Sequence, residues 1–499
     1  MQKFLESYGI LVQENIKDKN VEIDKNTITI HNSNISEIDL NILEQKQINK
    51  ITITNCEIDY IYFANDNNIE LSFINCIFKN QITARRSNFH KKVSFEQCIF
   101  EKRIDFSRAI FSNKVNFSLT KFGSEAKFIN TKFLAKYTSQ ENIENNFREA
   151  VFKDKTLFDA AEFKSSVSFE MAQFESEASF SYTNFNHVVI FFHTNFKNSI
   201  LFQNTSFFKN IIIFSGVKFN NIKFVSDKKL NETNTNDIVD QIYHFQDTTF
   251  KGIVNFENIY IKDLNFKNVI FNNIVVFDNT TLDNKPKFTN CTFSNQFNIK
   301  HDHIQYDYNE LKEKNKNTYD EFLNFRDLFR KLKSNRIAHH NLIDASELRA
   351  QELYARELEL KYKENKNLKD TIEQWQLFFY RKLCDHHTDL VLNAKWLIFT
   401  IALYILLIGK IWYIYPIALI SFFIIDVFFK TKNTSIIISS IIIFITLCNQ
   451  PKMILAIPNL LSNDFNWWQN LITSIYIIVF GLIIFSLQKT ARKNTIIPN

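Results

Sequence analysis

The sequence predicts a mainly β protein: a solenoid of short strands, then a charged helical linker and a C-terminal helical transmembrane domain. Three observations predict it. Between Phe73 and Phe293, phenylalanine recurs at alternating steps of five and six residues, an 11-residue rhythm. Residues 304–390 change to a composition rich in Glu, Lys, Arg and Leu, and from Trp396 onward the chain stays apolar.

The rhythm reads Phe89, Phe95, Phe100, Phe106, Phe111, Phe117, Phe122, Phe128, Phe133, and resumes in step from Phe152 to Phe207. A second track lies two residues before each Phe, as in Val93, Cys98, Ile104, Ala109, Val115 and Thr120, and it holds small or β-branched residues. Side chains two apart on an extended chain point to the same side, so each unit is a minimal strand with two inward residues and a polar corner. Ser, Asn, Lys, Glu and Asp fill the corners. Asn tolerates positive φ best after Gly, which would let a chain with only 6 Gly turn this often. Four such sides close a coil of 22 residues that stacks on the next at the ~4.8 Å strand spacing. An 11-residue repeat also suits a right-handed coiled coil. At ~100° per residue, however, successive Phe would lie ~140° apart and leave no apolar stripe. Val, Thr, Asn, Ser and Phe are also mediocre helix formers.

A stretch such as IDFSRAIFSNKVNFSLTKF at 104–122 resembles the pentapeptide-repeat family in a Phe-rich, 11-residue form, and the resemblance covers about half the chain. It implies a right-handed quadrilateral β-helix with the Phe stacked inside, here in a membrane-anchored bacterial member. The family's plain form steps by five throughout, so the alternating step is a departure that leaves the number of sides per coil open.

Composition narrows the function classes. The chain has 499 residues, room for two or three domains, and 53 of them are Phe, each worth ~1.5–3 kcal/mol when buried. Such a core needs no metal or disulfide. Cys56, Cys76, Cys98, Cys291, Cys384 and Cys448 lack paired C-x-x-C spacing. Cys76, Cys98 and Cys291 lie on the second track, where reduced core thiols are expected, and Cys76 and Cys98 should stack in adjacent coils. Over residues 51–300 there are 29 Lys and Arg against 26 Asp and Glu, a net of +3. Some pentapeptide-repeat proteins mimic duplex DNA on type II topoisomerases, which takes a strongly negative surface that this balance does not supply. No basic stripe with interleaved exposed aromatics indicates nucleic-acid binding.

In chain order, residues 1–50 are expected to form an N-terminal helix (within residues 1–18) and a cap, because an open solenoid end exposes strand edges. No secretory signal opens the chain. Residues 51–300 form the repeat solenoid of roughly ten coils. Polar interruptions at 134–146 and 225–244 should loop out of it, as solvated loops or as part of a binding face. Residues 301–390 form the helical linker. There Thr318 and Glu321 suggest a capping box, and Phe322, Phe325, Phe329 and Leu332 mark one helical face. Cys384, Asp385, His386 and His387 look like ligands, but consecutive helical positions point apart, so a solvated or interfacial cluster is expected.

Residues 391–499 form the transmembrane domain, with about four helices, or two plus re-entrant segments. Basic residues at Arg381, Lys382 and Lys395, at Lys430 and Lys432, and at Lys489, Arg492 and Lys493 place the β-helix and both termini in the cytoplasm of a bacterial inner membrane. Trp412, Trp467 and Trp468 fall at interfacial positions. Lys410 and Asp426 are charges near span ends that can snorkel. Between the last two spans no T-V-G-Y-G-like filter appears.

The sequence contains none of G-x-x-x-x-G-K, G-x-G-x-x-G, G-x-S-x-G or H-E-x-x-H, so neither an enzyme nor a cofactor is expected, and no catalytic, cofactor-binding or metal residues are assigned. The favoured reading is a non-catalytic scaffold or protein-interaction module on the cytoplasmic membrane face. Its partners are the lipid bilayer and another protein, with no nucleic acid or small-molecule substrate. The alternative is a channel or transporter with a regulatory β-helix, and a DNA mimic ranks behind both. The in/out assignment predicts that Phe117→Asp abolishes folding, because an unpaired buried carboxylate costs several kcal/mol. Asn116→Asp should leave the thermal unfolding midpoint nearly unchanged. Equal tolerance of the two substitutions by circular dichroism would reject the assignment.

Overall fold

The computed structural model describes residues 2–13, 18–138, 143–227, 241–313, 318–408, 444, 448 and 466–491. They form two compact units, Met1–Ile304 and Gln305–Asn499. The first is a four-sided β-solenoid. Its first side is a 13-stranded sheet that includes Ile99–Phe100 and Lys121–Phe122; the second is ten-stranded and includes Ile104–Asp105; the third is six-stranded and includes Ile110–Phe111. A nine-stranded sheet from Val21–Asp24 to Val189–Ile190 makes the fourth side, continued by a five-stranded sheet that starts at Ile211–Ser215. Twelve of the first side's strands pair in parallel, so the solenoid has about twelve turns, two more than the repeat count suggested. Pairing is in register at 22 residues, as in Phe100 opposite Phe122 and Ile104 opposite Ala126.

The alternating step of five and six comes from two kinds of corner. Five-residue corners carry a positive-φ residue: 97, 119, 149, 171 and 193 between the fourth and first sides, and 86, 108, 130, 160, 182 and 204 between the second and third. All but 97 and 204 sit third in a hydrogen-bonded β-turn, as in Ala172 N donating to Phe169 O at 3.0 Å around Met171. Six-residue corners instead use an Asn or Asp side chain that accepts from the next backbone N–H, at Asn113, Asp154, Asn198, Asn273 and Asn295. Asn holds the positive-φ corners near the ends of the solenoid, but Gln97, Arg108, Leu119, Glu149, Ala160, Met171, Tyr182 and His193 hold them in the middle. Asn therefore does not explain the turning by itself. The stacked coils hold even bulky residues in a conformation that costs them roughly 1–2 kcal/mol each. Directly after His193 in this column comes Gly216 (φ 66°), where a Cβ would fall 2.3 Å from His193 Nδ1.

At the N-terminus, helix α1 covers only Gln2–Ser7, and Ile10–Val12 then pairs antiparallel with Asn34–Asp39 to close the solenoid's end. The amphipathic helix expected across 1–18 is cut short by Gly9, whose φ of 76° ends it. A second short helix, α2 (Leu40–Gln45), is capped by the Asp39 side chain.

The second unit begins with α3 (Tyr308–Glu313), α4 (Tyr319–Ala338), α5 (Leu342–Tyr362) and α6 (Leu368–Cys384). Phe322, Phe329 and Leu332 are buried as the periodicity predicts. Thr318 is the N-cap of α4, but its side chain makes no capping bond, so the expected box with Glu321 does not form; a complete capping box forms at Asn367 and Asp370 of α6 instead. The charges of this unit turn inward. Buried Glu359 of α5 meets Arg326 and Arg356 at 2.7 Å, and buried Glu357 takes a bidentate grip from Arg381 at 2.8 Å. Apolar helices α7 (Leu390–Ile408) and α8 (Trp467–Ala491) pack antiparallel: Asn393, near the start of α7, meets Ser486 near the end of α8, and Tyr404 meets Thr473 at the other end. Among the described residues, α8 is the one helix long and apolar enough to cross a membrane.

Inside the solenoid, the Phe form four columns of parallel rings, with centroids 4.5 Å apart for Phe133–Phe163 and 4.6 Å for Phe122–Phe152, while neighbouring columns meet edge to face. The second track is more than small. Its Thr hydroxyls donate to the carbonyl of a Phe one coil back: Thr131 to Phe106, Thr183 to Phe158 and Thr194 to Phe169, each at 2.8 Å. Cys98 and Cys291 direct their thiols the same way. Thr194→Val keeps the shape and removes one such bond, so we expect a loss of ~1 kcal/mol by urea unfolding. A stability equal to or above wild type would show that the hydroxyl contributes packing alone.

Candidate interaction surface

Both interruptions of the repeat emerge around the third side. The first leaves after Lys132–Phe133 and returns on the fourth side at Asn145–Asn146, which pair with Val115–Asn116, so it spans 134–144. The second leaves after Ile222–Val225 on the second side and returns on the fourth at Gln241–Gln246, so it spans 226–240. Both are shorter than the sequence suggests, because each return strand already belongs to the coil: Phe147 and Phe245 are fully or almost fully buried in the ring columns.

The departure points are anchored. Asp227 accepts from the Tyr182 hydroxyl, from Gln203 Nε2 at 2.6 Å and from Asn204 Nδ2 at 2.8 Å. These donors, Tyr182 first, hold its carboxyl below the usual range. In the first insertion Glu144 accepts from the backbone N–H (3.1 Å) and hydroxyl (2.8 Å) of Thr138. Tyr137 lies over His187 at 4.0 Å, and His187 in turn stacks on Phe208 at 4.9 Å, with Lys209 above that ring. Beside this stack, on two adjacent coils of the fourth side, Val188, Phe192, Ile211 and Ile213 are 40–56% exposed. The coils between the two insertions thus present an aromatic and aliphatic surface on their fourth side; elsewhere on the solenoid Tyr60, Tyr62, Leu119, Ile253 and Ile270 are exposed as well. This surface was not legible in the sequence, because alternation there is masked by consecutive apolar residues, VVIFF at 188–192 and IIIF at 211–214.

The singled-out thiols behave as core residues. Cys56, Cys76, Cys98 and Cys291 are buried and form no disulfide, and burial raises the Cys56 thiol to about 12 and holds Cys98 well above its ordinary value. Residues 384–387 depart from the expected solvated helical cluster. Helix α6 ends at Cys384, and Asp385, His386 and His387 follow at φ of 48°, 55° and 73°, three consecutive residues in the left-handed region. Cys384 and His386 are buried, and burial pushes the His386 imidazole down to about 3. The side chains diverge: Asp385 accepts from the Tyr354 hydroxyl, while His387 Nδ1 lies 3.5 Å from Cys384 Sγ and 3.4 Å from the Ser486 and Thr490 hydroxyls of α8. The His387 contacts tie the end of α6 to α8. Among the described residues, no cluster of three or more His, Cys, Asp or Glu could hold a metal. Lys410, Trp412, Asp426, Lys430, Lys432, Arg492 and Lys493, with the two middle apolar runs, lie outside the described residues.

Residues 73–121 and 147–195 match the family model described as pentapeptide repeats, in nine copies. The two matched blocks are the regular coils on either side of the first insertion, so this part of the chain is a pentapeptide-repeat β-solenoid. Proteins with these repeats are generally non-catalytic. Neither a curated protein nor a solved structure matches the chain. The burial of the thiols sets an expectation: in the native protein a maleimide labels Cys448, the exposed one, and leaves the other five unreacted until denaturant is added. Rapid native labelling of more than one thiol would contradict the core assignment.

Proposed function

We propose that the protein is a membrane-anchored, non-catalytic scaffold that presents the solenoid surface between its two insertions to a protein partner. The observation that carries this reading is the exposed Phe192, Ile211 and Ile213 on coils bracketed by both insertions. Exposed apolar residues grouped in this way mark interaction sites more often than isolated ones do. Membrane anchorage is supported by α8 and by its antiparallel pairing with α7, which favours an even number of crossings and so puts the two ends of the membrane domain on one side. Arg381, Lys382, Lys395 and Lys489 gather at that end, which favours the cytoplasmic side.

Phe192→Ser with Ile213→Asp is expected to leave thermal unfolding unchanged and to abolish crosslinking of a partner to the full-length protein in native membranes. Deleting residues 134–141 and 229–238 should do the same. Retained crosslinking in both variants would reject the surface, and ion flux from the purified protein in liposomes, with no partner recovered, would favour the channel reading. Single cysteines at 140 and 496, in a chain lacking Cys448, should react with an impermeant maleimide only after the cells are permeabilised.

A further inference from the structure

Helix α6 is amphipathic in an unusual sense. Its charged face is used up against α5: Asp370 pairs with Lys363 at 2.7 Å, Glu373 takes both Arg356 nitrogens at 2.9 Å, and Arg381 holds Glu357. Leu377 is buried on the same side. The opposite face is apolar and open to the surroundings. Leu368, Ile372, Trp375 and Phe379 recur at helical spacing and are 77, 58, 68 and 41% exposed. Both acids of the helix are therefore paired on the α5 side, while Lys369 and Lys382 are exposed around the apolar stripe.

The stripe does not end at Phe379. It runs into an apolar cavity of about 690 Å³ whose walls are Phe378 and Leu383 of α6, Trp396 and Phe399 of α7, and Tyr476 and Ile483 of α8. Lys382 stands on its rim, and the Trp396 indole N–H donates to the Lys382 carbonyl at 2.8 Å, fixing the ring where α6 meets α7. The volume falls within the ~300–1,000 Å³ of small-molecule sites, and the walls are almost wholly hydrocarbon.

We propose that α6 lies in the plane of an anionic lipid leaflet, with the Leu368–Phe379 stripe among the acyl chains, Lys369 and Lys382 at the headgroups, and one acyl chain in the cavity. A helix with apolar residues including Trp and Phe on one face, and Lys beside them, binds lipid interfaces in this way, and the long Lys stems reach the headgroup layer. Lipid is the favoured occupant because the stripe is continuous with the apolar surfaces of α7 and α8 and because the cations beside it are complementary to anionic headgroups. The proposal rests on the reading of α7 and α8 as membrane-embedded. It adds a second, in-plane contact that would fix the tilt of the linker helices against the bilayer.

The test uses the full-length protein, with Cys448 replaced by serine, in phosphatidylcholine–phosphatidylglycerol bilayers. Nitroxide labels are placed singly at 372 and 375, and at 364 as an aqueous reference, and their accessibility to oxygen and to a water-soluble nickel chelate is compared. Labels at 372 and 375 are expected to favour oxygen, and the label at 364 the chelate. Lys369→Gln with Lys382→Gln should shift the 372 label toward the chelate in the anionic bilayer and leave it unmoved in pure phosphatidylcholine. Chelate access at 372 and 375 equal to that at 364 would overturn the proposal, as would exclusion of both reagents, which would mean that a second copy or residues 409–465 cover the stripe. Release of the protein by alkaline carbonate without detergent would instead sink the membrane reading beneath it.

Discussion

The solenoid depends on one constraint: in the regular coils each side is only two to four residues wide, so almost every backbone hydrogen bond of a strand goes to the coils before and after it. A lone coil has no core and no ladder. Stability therefore accumulates by stacking, and stacking demands that equivalent residues return to the same face in each coil, every 22 positions in the regular coils and 21 or 23 in some others. The ring columns, the Thr and Cys hydrogen bonds to the previous coil and the two corner types all follow from that register. So does the placement of the insertions. Phe117 still stacks on Phe147 and Phe133 on Phe163, with 30 residues between each pair, because the additional residues leave and re-enter at one corner.

How much of this was legible follows from which residue types carry it. The Phe columns were readable because Phe at alternating steps of five and six leaves no apolar stripe on a helix, so that short strands remain as the explanation. The coil count and the ends of the insertions were not, and the reason lies in the second track. At the two return points it holds Asn145 and Tyr243, which break the small and β-branched pattern although both are buried; Asn145 Nδ2 donates there to the Ser165 hydroxyl and the Ser166 carbonyl. The corners at Leu119, Met171 and Tyr182 were also invisible. Local preference argues against positive φ at these residues, and the stack overrides it.

In the helical unit the sequence conveyed composition but not direction. Glu357 and Glu359 read as members of a solvated charged helix, yet arginines from the neighbouring helices bury them, and the same economy leaves the apolar face of α6 uncovered. Removing one partner from such a pair is costly because it strands the other charge, so the α4–α6 arrangement is specified as much by polar as by apolar contacts. The run Cys384–His387 has the same character: it looked like a ligand set and is a sharp left-handed connection whose side chains serve three different neighbours.

The two proposed surfaces have different origins. On the solenoid, the ladder is indifferent to what points outward, so exposed apolar residues at Phe192, Ile211 and Ile213 are not required by the fold. On α6, the stripe follows from the pairing of its charges with α5. The solenoid stands on the register, and deletion tests it most directly. Removing residues 134–141 restores a six-residue step between Phe133 and Phe147, whereas removing Asn113 alone shortens a regular corner by one. The account predicts that the eight-residue deletion leaves cooperative thermal unfolding near the wild-type midpoint and that the single deletion lowers it sharply. The reverse order, or equal losses, would contradict it.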